Sequence, residues 1–470
     1  MVQFNTMPNN SLVSVVRKSF NYKRIILNNR TISSQSAVNF ADIFALCRTT
    51  QSLRSNMTKS CLLLLYAMSF LSNYAASTVR TTSNTDYQLE KVFIFSRHGV
   101  RTPIIKSDSK LTQVTPYQWT AWQEAPGELM SKGADLEVKF GRYIRDYLNQ
   151  QGLTKINQCL PPEQVLIYTN SLQRTLATGQ ALTLGLFPGC GIHPVNNVAL
   201  GTMDSVFNPI VRNGSETFKQ AIISRITLKQ AHQKLQTAYK VLGEVINYAQ
   251  SSQCQGRDDC KFFSEEGKLK VEKGKEVGVS GTLRLGKTIV DNLLIELYAN
   301  STSSKMLSQL TPEKWETINQ IKNEYFAILR GEKFIASHLA QPLAVFIQQE
   351  LYNSQRTISL LVGHDTNIIT LLGALGVKSY RLPNQYESTP IGGKVFFEIW
   401  RDKKNNTKWV NTQYIYQSIE QIQKDKVLTL ATPPQAVQLH FEQCNENELG
   451  FCAYSDIEAK MTKIINQSFD

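Results

Sequence analysis

Apolar residues along this chain gather in short blocks separated by longer amphipathic stretches, the rhythm of strands and helices in an α/β protein. Val92-Phe93-Ile94-Phe95, Gln164-Val165-Leu166-Ile167-Tyr168 and Thr357-Ile358-Ser359-Leu360-Leu361-Val362 are near-continuous apolar runs of strand length. Such runs are expected where both faces of a parallel sheet are covered. An amphipathic helix is predicted near Lys132–Asn149 and another after Gln173-Arg174-Thr175. A third is predicted over Asn367–Leu375, with Asp365 and Thr366 as its cap residues. Val395–Trp400 and Trp409–Tyr416 have the spacing of a hairpin or an adjacent strand pair. From about 196 to 340 the pattern is mostly helical with Gly-rich breaks, which reads as a helical cap inserted into an α/β core of about 87–195 and 341–470. A loop rich in Ser, Thr, Pro and Trp, from Ile104 to about Met130, is a candidate cleft wall.

Three of the strands stop just before basic residues: Arg97 and His98, then Arg174, then His364. In open α/β sheets ligands bind beyond the carboxyl ends of strands, so these groups are expected to converge. The segment Arg97-His98-Gly99-Val100-Arg101-Thr102-Pro103 carries the most chemistry. Gly99 permits a tight turn and Pro103 ends any strand continuation. An imidazole beside two fork-shaped guanidiniums suits a phosphate above other groups.

Composition narrows the compartment and the partners. The chain has 470 residues and a formal net charge of +13, but the excess is uneven. Residues 1–56 hold seven Lys and Arg against one acid, Asp42, whereas 78–470 hold 43 against 37, without a dense basic stripe. Nucleic-acid binding is therefore not expected. Residues 57–77 open with Met57 and Lys59, continue through Cys61–Met68, Phe70 and Leu71, and end in Ala75-Ala76-Ser77. That pattern reads as a secretory signal, too short to span a bilayer, with 1–56 a non-native or disordered extension. No stable membrane insertion is expected once it is removed, and the working protein would be 78–470, periplasmic or secreted. Six cysteines remain there: Cys159, Cys190, Cys254, Cys260, Cys444 and Cys452. Six cysteines permit 15 pairings. The close pairs Cys254/Cys260 and Cys444/Cys452 lie in polar loops, which leaves Cys159 with Cys190. No Cys/His cluster has metal-ligand spacing.

Together with Gly363-His364-Asp365-Thr366-Asn367, the Arg97–Pro103 motif resembles the histidine acid phosphatases. Asn170-Ser171-Leu172-Gln173-Arg174-Thr175, Gly201-Thr202-Met203-Asp204, Phe207-Asn208-Pro209, Gly278-Val279-Ser280-Gly281 and Thr389-Pro390-Ile391-Gly392-Gly393-Lys394 extend the likeness to the bacterial periplasmic branch. Within it the glucose-1-phosphatases are the nearest and the phytases next. The resemblance covers nearly all of 87–470, and the cysteine spacing fits the disulfides of that branch.

The resemblance implies a central, mostly parallel sheet with flanking helices and an inserted helical cap. It implies a phosphate monoester as substrate and no cofactor or metal. His98 would be the nucleophile that forms a phosphohistidine, and Asp365 the acid for the leaving oxygen. Arg97, Arg101, Arg174 and His364 would hold the phosphoryl oxygens. Glu276 matches an acidic residue that faces the pocket in the glucose-1-phosphatase branch and would favour a small sugar phosphate. Phytases tend to carry a basic residue two positions beyond the motif proline, where Ile105 stands here and Lys106 follows. Inositol hexakisphosphate is the alternative substrate. A phosphoglycerate-mutase-like enzyme with a glutamate acid, or a non-catalytic protein that binds phosphorylated ligands, fits less well with an intact His98 and Asp365.

Overall fold

The strands in chain order are β1 (Tyr87–Arg97), β2 (Val165–Thr169), β3 (Leu269–Lys270), β4 (Gly278–Val279), β5 (Ile358–Gly363), β6 (Lys394–Asp402), β7 (Lys408–Tyr416), β8 (Gln435–Gln438) and β9 (Cys452–Ala453). The helices that matter for packing are α1 (Ser131–Gln150), α2 (Gln173–Leu186), α3 (Glu216–Ile223), α4 (Leu228–Lys234), α5 (Gln236–Val245) and α6 (Gly281–Ala299). They continue with α7 (Pro312–Phe326), α8 (Lys333–Tyr352), α9 (Asp365–Leu375), α10 (Ile419–Gln423) and α11 (Tyr454–Asn466). These elements come from a computed structural model that describes residues 86–104, 110–258, 260–262, 266–301 and 304–469. The expected extension 1–56, the signal segment 57–77 and the Ile105 and Lys106 positions lie outside the described residues.

β1 is the spine, and its side chains divide by parity, as the pleat of a strand requires. Phe93 and Phe95 join one apolar cluster with Ala340, Leu343 and Ile347 of α8, Ile368 and Leu371 of α9, and Met461 of α11. Val92 and Ile94 join another with Phe140 and Ile144 of α1 and Leu182 of α2. Helices thus cover both faces, which is why the apolar run of this strand is continuous rather than alternating.

The main sheet runs β2-β5-β1-β6-β7-β8, with β9 on β7. β2, β5 and β1 are mutually parallel, while β6 pairs antiparallel with both β1 and β7. Register aligns the parallel set at its carboxyl end: Arg97 lies opposite Gly363, and Thr169 opposite Val362. The ends that carry His98, Asn170 and His364 therefore open on one side. β1 is longer than its apolar run, because Tyr87 to Leu89 pair with Asp402 to Trp400 across a bulge at Leu89/Lys91. α9 begins two residues before the predicted Asn367, with His364 rather than Asp365 as its N-cap. Asn367 explains the shift: its Oδ1 accepts from the His364 backbone N–H at 3.0 Å and extends the helix back to the strand.

Helices α3 to α7 and the β3–β4 ribbon share a separate apolar cluster that includes Phe218, Tyr239, Leu242, Val279, Leu293 and Ile318. Val100 of the motif and Ile391 belong to it as well, so this cluster reaches the site loops. Three disulfides join Cys159 to Cys190, Cys254 to Cys260 and Cys444 to Cys452, the pairs expected. Disulfides belong to an oxidising compartment. Among the described residues no helix is long and apolar enough to cross a membrane.

Candidate active site

Backbone bonds between strand ends bring the expected groups together. The His98 N–H donates to the Gly363 carbonyl and the Asn170 N–H to the Val362 carbonyl, each at 3.0 Å. The His98 and His364 rings then lie edge to face with centroids 5.7 Å apart. His98 Nδ1 is 2.9 Å from the Gly99 carbonyl, an acceptor, so Nδ1 carries the proton and Nε2 keeps its lone pair. His364 Nε2 accepts from Asn170 Nδ2 at 2.8 Å, and Asn170 Oδ1 accepts the N–H groups of Ser171 and Asp204. The Asn-Ser and Met-Asp motifs therefore serve to orient this second imidazole.

Burial and neighbouring charge both disfavour protonation of the two rings. Burial, reinforced by Arg174 and Arg101, holds the His98 imidazole far below its ordinary range. Burial and Arg174 bring His364 down to about 3. Both shifts favour the neutral imidazole. Arg97 bonds Asp365 Oδ2 through Nη2 at 3.2 Å and Glu387 Oε1 through Nη1 at 2.9 Å. Burial alone would raise the Asp365 carboxyl, but Arg97 and Lys322 overcome it and hold it at about 2. Arg174 is lowered to about 10, by burial first and by Arg101 next. Among the described residues the buried Nε atoms of Arg97, Arg101 and Arg174 find no protein partner. Orphaned guanidinium donors around one neutral imidazole are what an oxyanion ligand would satisfy.

The sequence reading missed the supports of this cluster. Lys322 of α7 pairs with both Glu387 and Asp291 of α6, and Asp291 pairs with Lys287 at 2.8 Å. An alternating chain of charge thus runs Asp365, Arg97, Glu387, Lys322, Asp291, Lys287, joining helices of the cap to the strand ends. Lys287 and Asp291 have the i,i+4 spacing of an ordinary solvated helix pair, and nothing in their order along the chain points at the site. Glu276 stands apart: its half-exposed carboxylate pairs with the buried Arg330 at 2.7 Å, and no hydrogen bond or ion pair links it to the cluster. Trp119 donates to the Leu111 carbonyl at 3.0 Å and packs with Trp122 on the cap cluster, which is core packing. One grouping of three potential metal ligands occurs among the described residues, Cys444, Cys452 and Asp456, and its sulfurs are joined in a disulfide.

Comparison with known proteins decides the family. Residues 88–416 match the histidine phosphatase superfamily (branch 2). The chain belongs to that superfamily. It is 36% identical over 400 residues to the glucose-1-phosphatase of Providencia rettgeri, covering 83% of this chain and 96% of the relative. It is 30% identical over 411 residues to Phytase AppA of Escherichia coli, covering 82% and 93%. Among solved structures, the phytase of Citrobacter braakii superposes with a TM-score of 0.75 at 28% identity, covering 80% of this chain and 98% of that one. This histidine phosphatase is therefore an acid phosphatase, a hydrolase of phosphate monoesters.

Proposed function

We propose that this phosphatase is an exported enzyme that hydrolyses glucose 1-phosphate or similar sugar monophosphates through a phosphohistidine on His98. The observation that carries the reading is the neutral His98 imidazole, its Nε2 lone pair free, beside three arginines with unpartnered Nε atoms. In the first step Nε2 forms a bond to phosphorus as the bond to the ester oxygen breaks, and Asp365 gives that oxygen its proton. In the second step water attacks phosphorus, Asp365 takes the water's proton, and the N–P bond breaks to release phosphate. Arg97, Arg101, Arg174 and His364 hold the phosphoryl oxygens and offset charge as it develops.

Asp365 is ionised in the free protein, so the acid role depends on the substrate. A phosphate charge near 4 Å costs the carboxylate on the order of 4 kcal/mol at an effective dielectric of 20, about three pKa units. From about 2, that brings the carboxyl into the mildly acidic range. Export is supported by the three disulfides and by the signal-like pattern of residues 57–77.

Support for the sugar phosphate comes from the glucose-1-phosphatase relative; Glu276, engaged by Arg330 away from the charge cluster, adds none. The phytase relatives favour inositol hexakisphosphate as the second reading. Protein beginning at residue 78 is assayed at acidic pH on both substrates. The proposal expects a higher kcat/KM for glucose 1-phosphate than for phytate. A higher kcat/KM for phytate in the unaltered enzyme contradicts it.

A further inference from the structure

Behind the turn that carries His98 lies a charge pair with no access to substrate. Glu137 of α1 and Lys394 of β6 have side chains 2% and 0% exposed, with Lys394 Nζ 2.8 Å from Glu137 Oε2. Lys394 Nζ also donates to the Gly392 carbonyl at 2.6 Å and sits 3.8 Å from the Phe140 ring centroid. Removing two charges from water is costly, and well-packed apolar residues of similar volume often serve stability as well or better. The best-attested use of a pair kept in such a place is to fix register.

The register in question is that of the nucleophile. A Cβ on Gly99 would meet Glu137 Cγ at 3.0 Å, and a Cβ on Gly392 would meet Glu137 Oε1 at 2.7 Å. The Glu137 side chain therefore fills the notch between two glycines, one directly after His98 and one in the 392–393 turn. Those turns are tied to each other: the Gly392 N–H donates to the His98 carbonyl, and the Arg97 N–H to the Gly393 carbonyl, each at 3.0 Å. The His98 ring is in turn held by the Gly99 carbonyl at 2.9 Å. The Gly99 carbonyl holds the ring, and Thr178 Oγ1 accepts the Gly99 N–H at 2.9 Å. Glu137 packs against Gly99 and Gly392, and Lys394 bonds both Glu137 and the Gly392 carbonyl.

We infer that Glu137 and Lys394 are positioning residues for phosphoryl transfer, a clamp on two turns that aims His98 Nε2 at phosphorus. The inference rests on His98 being the nucleophile. A misplacement of about 1 Å at a reacting atom is enough to cost roughly 10²-fold in rate. The clamp does not touch substrate, so its loss should appear in kcat and leave KM alone.

The test is the double variant Glu137→Leu/Lys394→Met, which exchanges the pair for apolar side chains of similar volume. The expected result is cooperative unfolding at a denaturant midpoint near that of the unaltered protein, KM within about twofold, and kcat and the pre-steady-state burst rate lower by about 10²-fold. If the double variant does not fold, Glu137→Asp carries the same prediction. It keeps the charge but withdraws the carboxylate from Gly99 and Gly392 by one methylene. A folded double variant, or a folded Glu137→Asp, with unaltered kcat and burst rate overturns the inference. His98→Ala measured in parallel separates the two claims. Turnover by His98→Ala removes the nucleophile assignment, and with it this one; an inactive His98→Ala beside an unimpaired clamp variant removes this one alone.

Discussion

In the proposed mechanism Asp365 is ionised in the free enzyme and protonated beside the substrate, and its neighbours set how far it must swing. Arg97 and Lys322 hold it at about 2 against the rise that burial would cause. A folded-state value below the ordinary 3.8 gives stability that is complete above that value and lost only as pH falls towards about 2. Acidic working conditions leave the Arg97 contact intact. For catalysis the sign is opposite, since turnover needs the protonated carboxyl in the complex. We therefore expect kcat to fall as pH rises from mildly acidic to neutral. Asp365→Asn should bind phosphate as before yet lose about 10²–10⁴-fold in kcat, the usual worth of general acid catalysis, on esters with poor leaving groups. On p-nitrophenyl phosphate, whose leaving group needs little protonation, the loss should be smaller; equal losses on both contradict the role. His98, Arg97 and Arg101 were legible because they lie within five consecutive positions at the end of a strand. Glu387 and Lys322 were not, because their partners lie far away in the chain: Lys322 and Glu387 are separated by 65 residues.

Strand and helix boundaries were readable to within a few residues, and the exceptions have local causes. The apolar block 92–95 marks only the doubly covered centre of β1; its polar start is held by β6, which no local pattern announces. At α9 the sequence offered Asp365 and Thr366 as caps, and the side chain of Asn367, three places after His364, moved the cap to His364 instead. Asn367 joins two elements, because its Nδ2 also donates to the Phe207 carbonyl at 2.8 Å. Asn367→Ala leaves a buried N–H and a buried carbonyl unpaired, so a loss of about 1–3 kcal/mol in chemical denaturation is expected. Turnover should fall with it, because the freed peptide belongs to His364. Full stability with full activity in this variant would show that the cap does not hold the imidazole.

At the scale of the molecule, three buried histidines contribute to the response to acid. His98 and His364 are held neutral by burial and the arginines, and His338 is lowered to about 4 by burial first and Arg212 next. In the unfolded chain each would take a proton below about 6.5. Their contribution to stability is thus complete above that value and declines as pH falls, for His338 towards about 4. His338 Nε2 accepts the Arg212 backbone N–H at 2.9 Å, a bond that a glutamine oxygen can replace. His338→Gln should narrow the difference in Tm between pH 7 and pH 4 and leave kcat unchanged; an unaltered difference would refute the linkage. The central claim is chemical: the bond to phosphorus forms at His98. The direct test mixes enzyme with radiolabelled glucose 1-phosphate, quenches in alkaline detergent within the first turnover, and maps the label by peptide mass. Label on the peptide that carries His98, and none in Asp365→Asn with a poor leaving group, is the predicted result. Turnover with no labelled histidine, or label on His364 instead, would contradict the account.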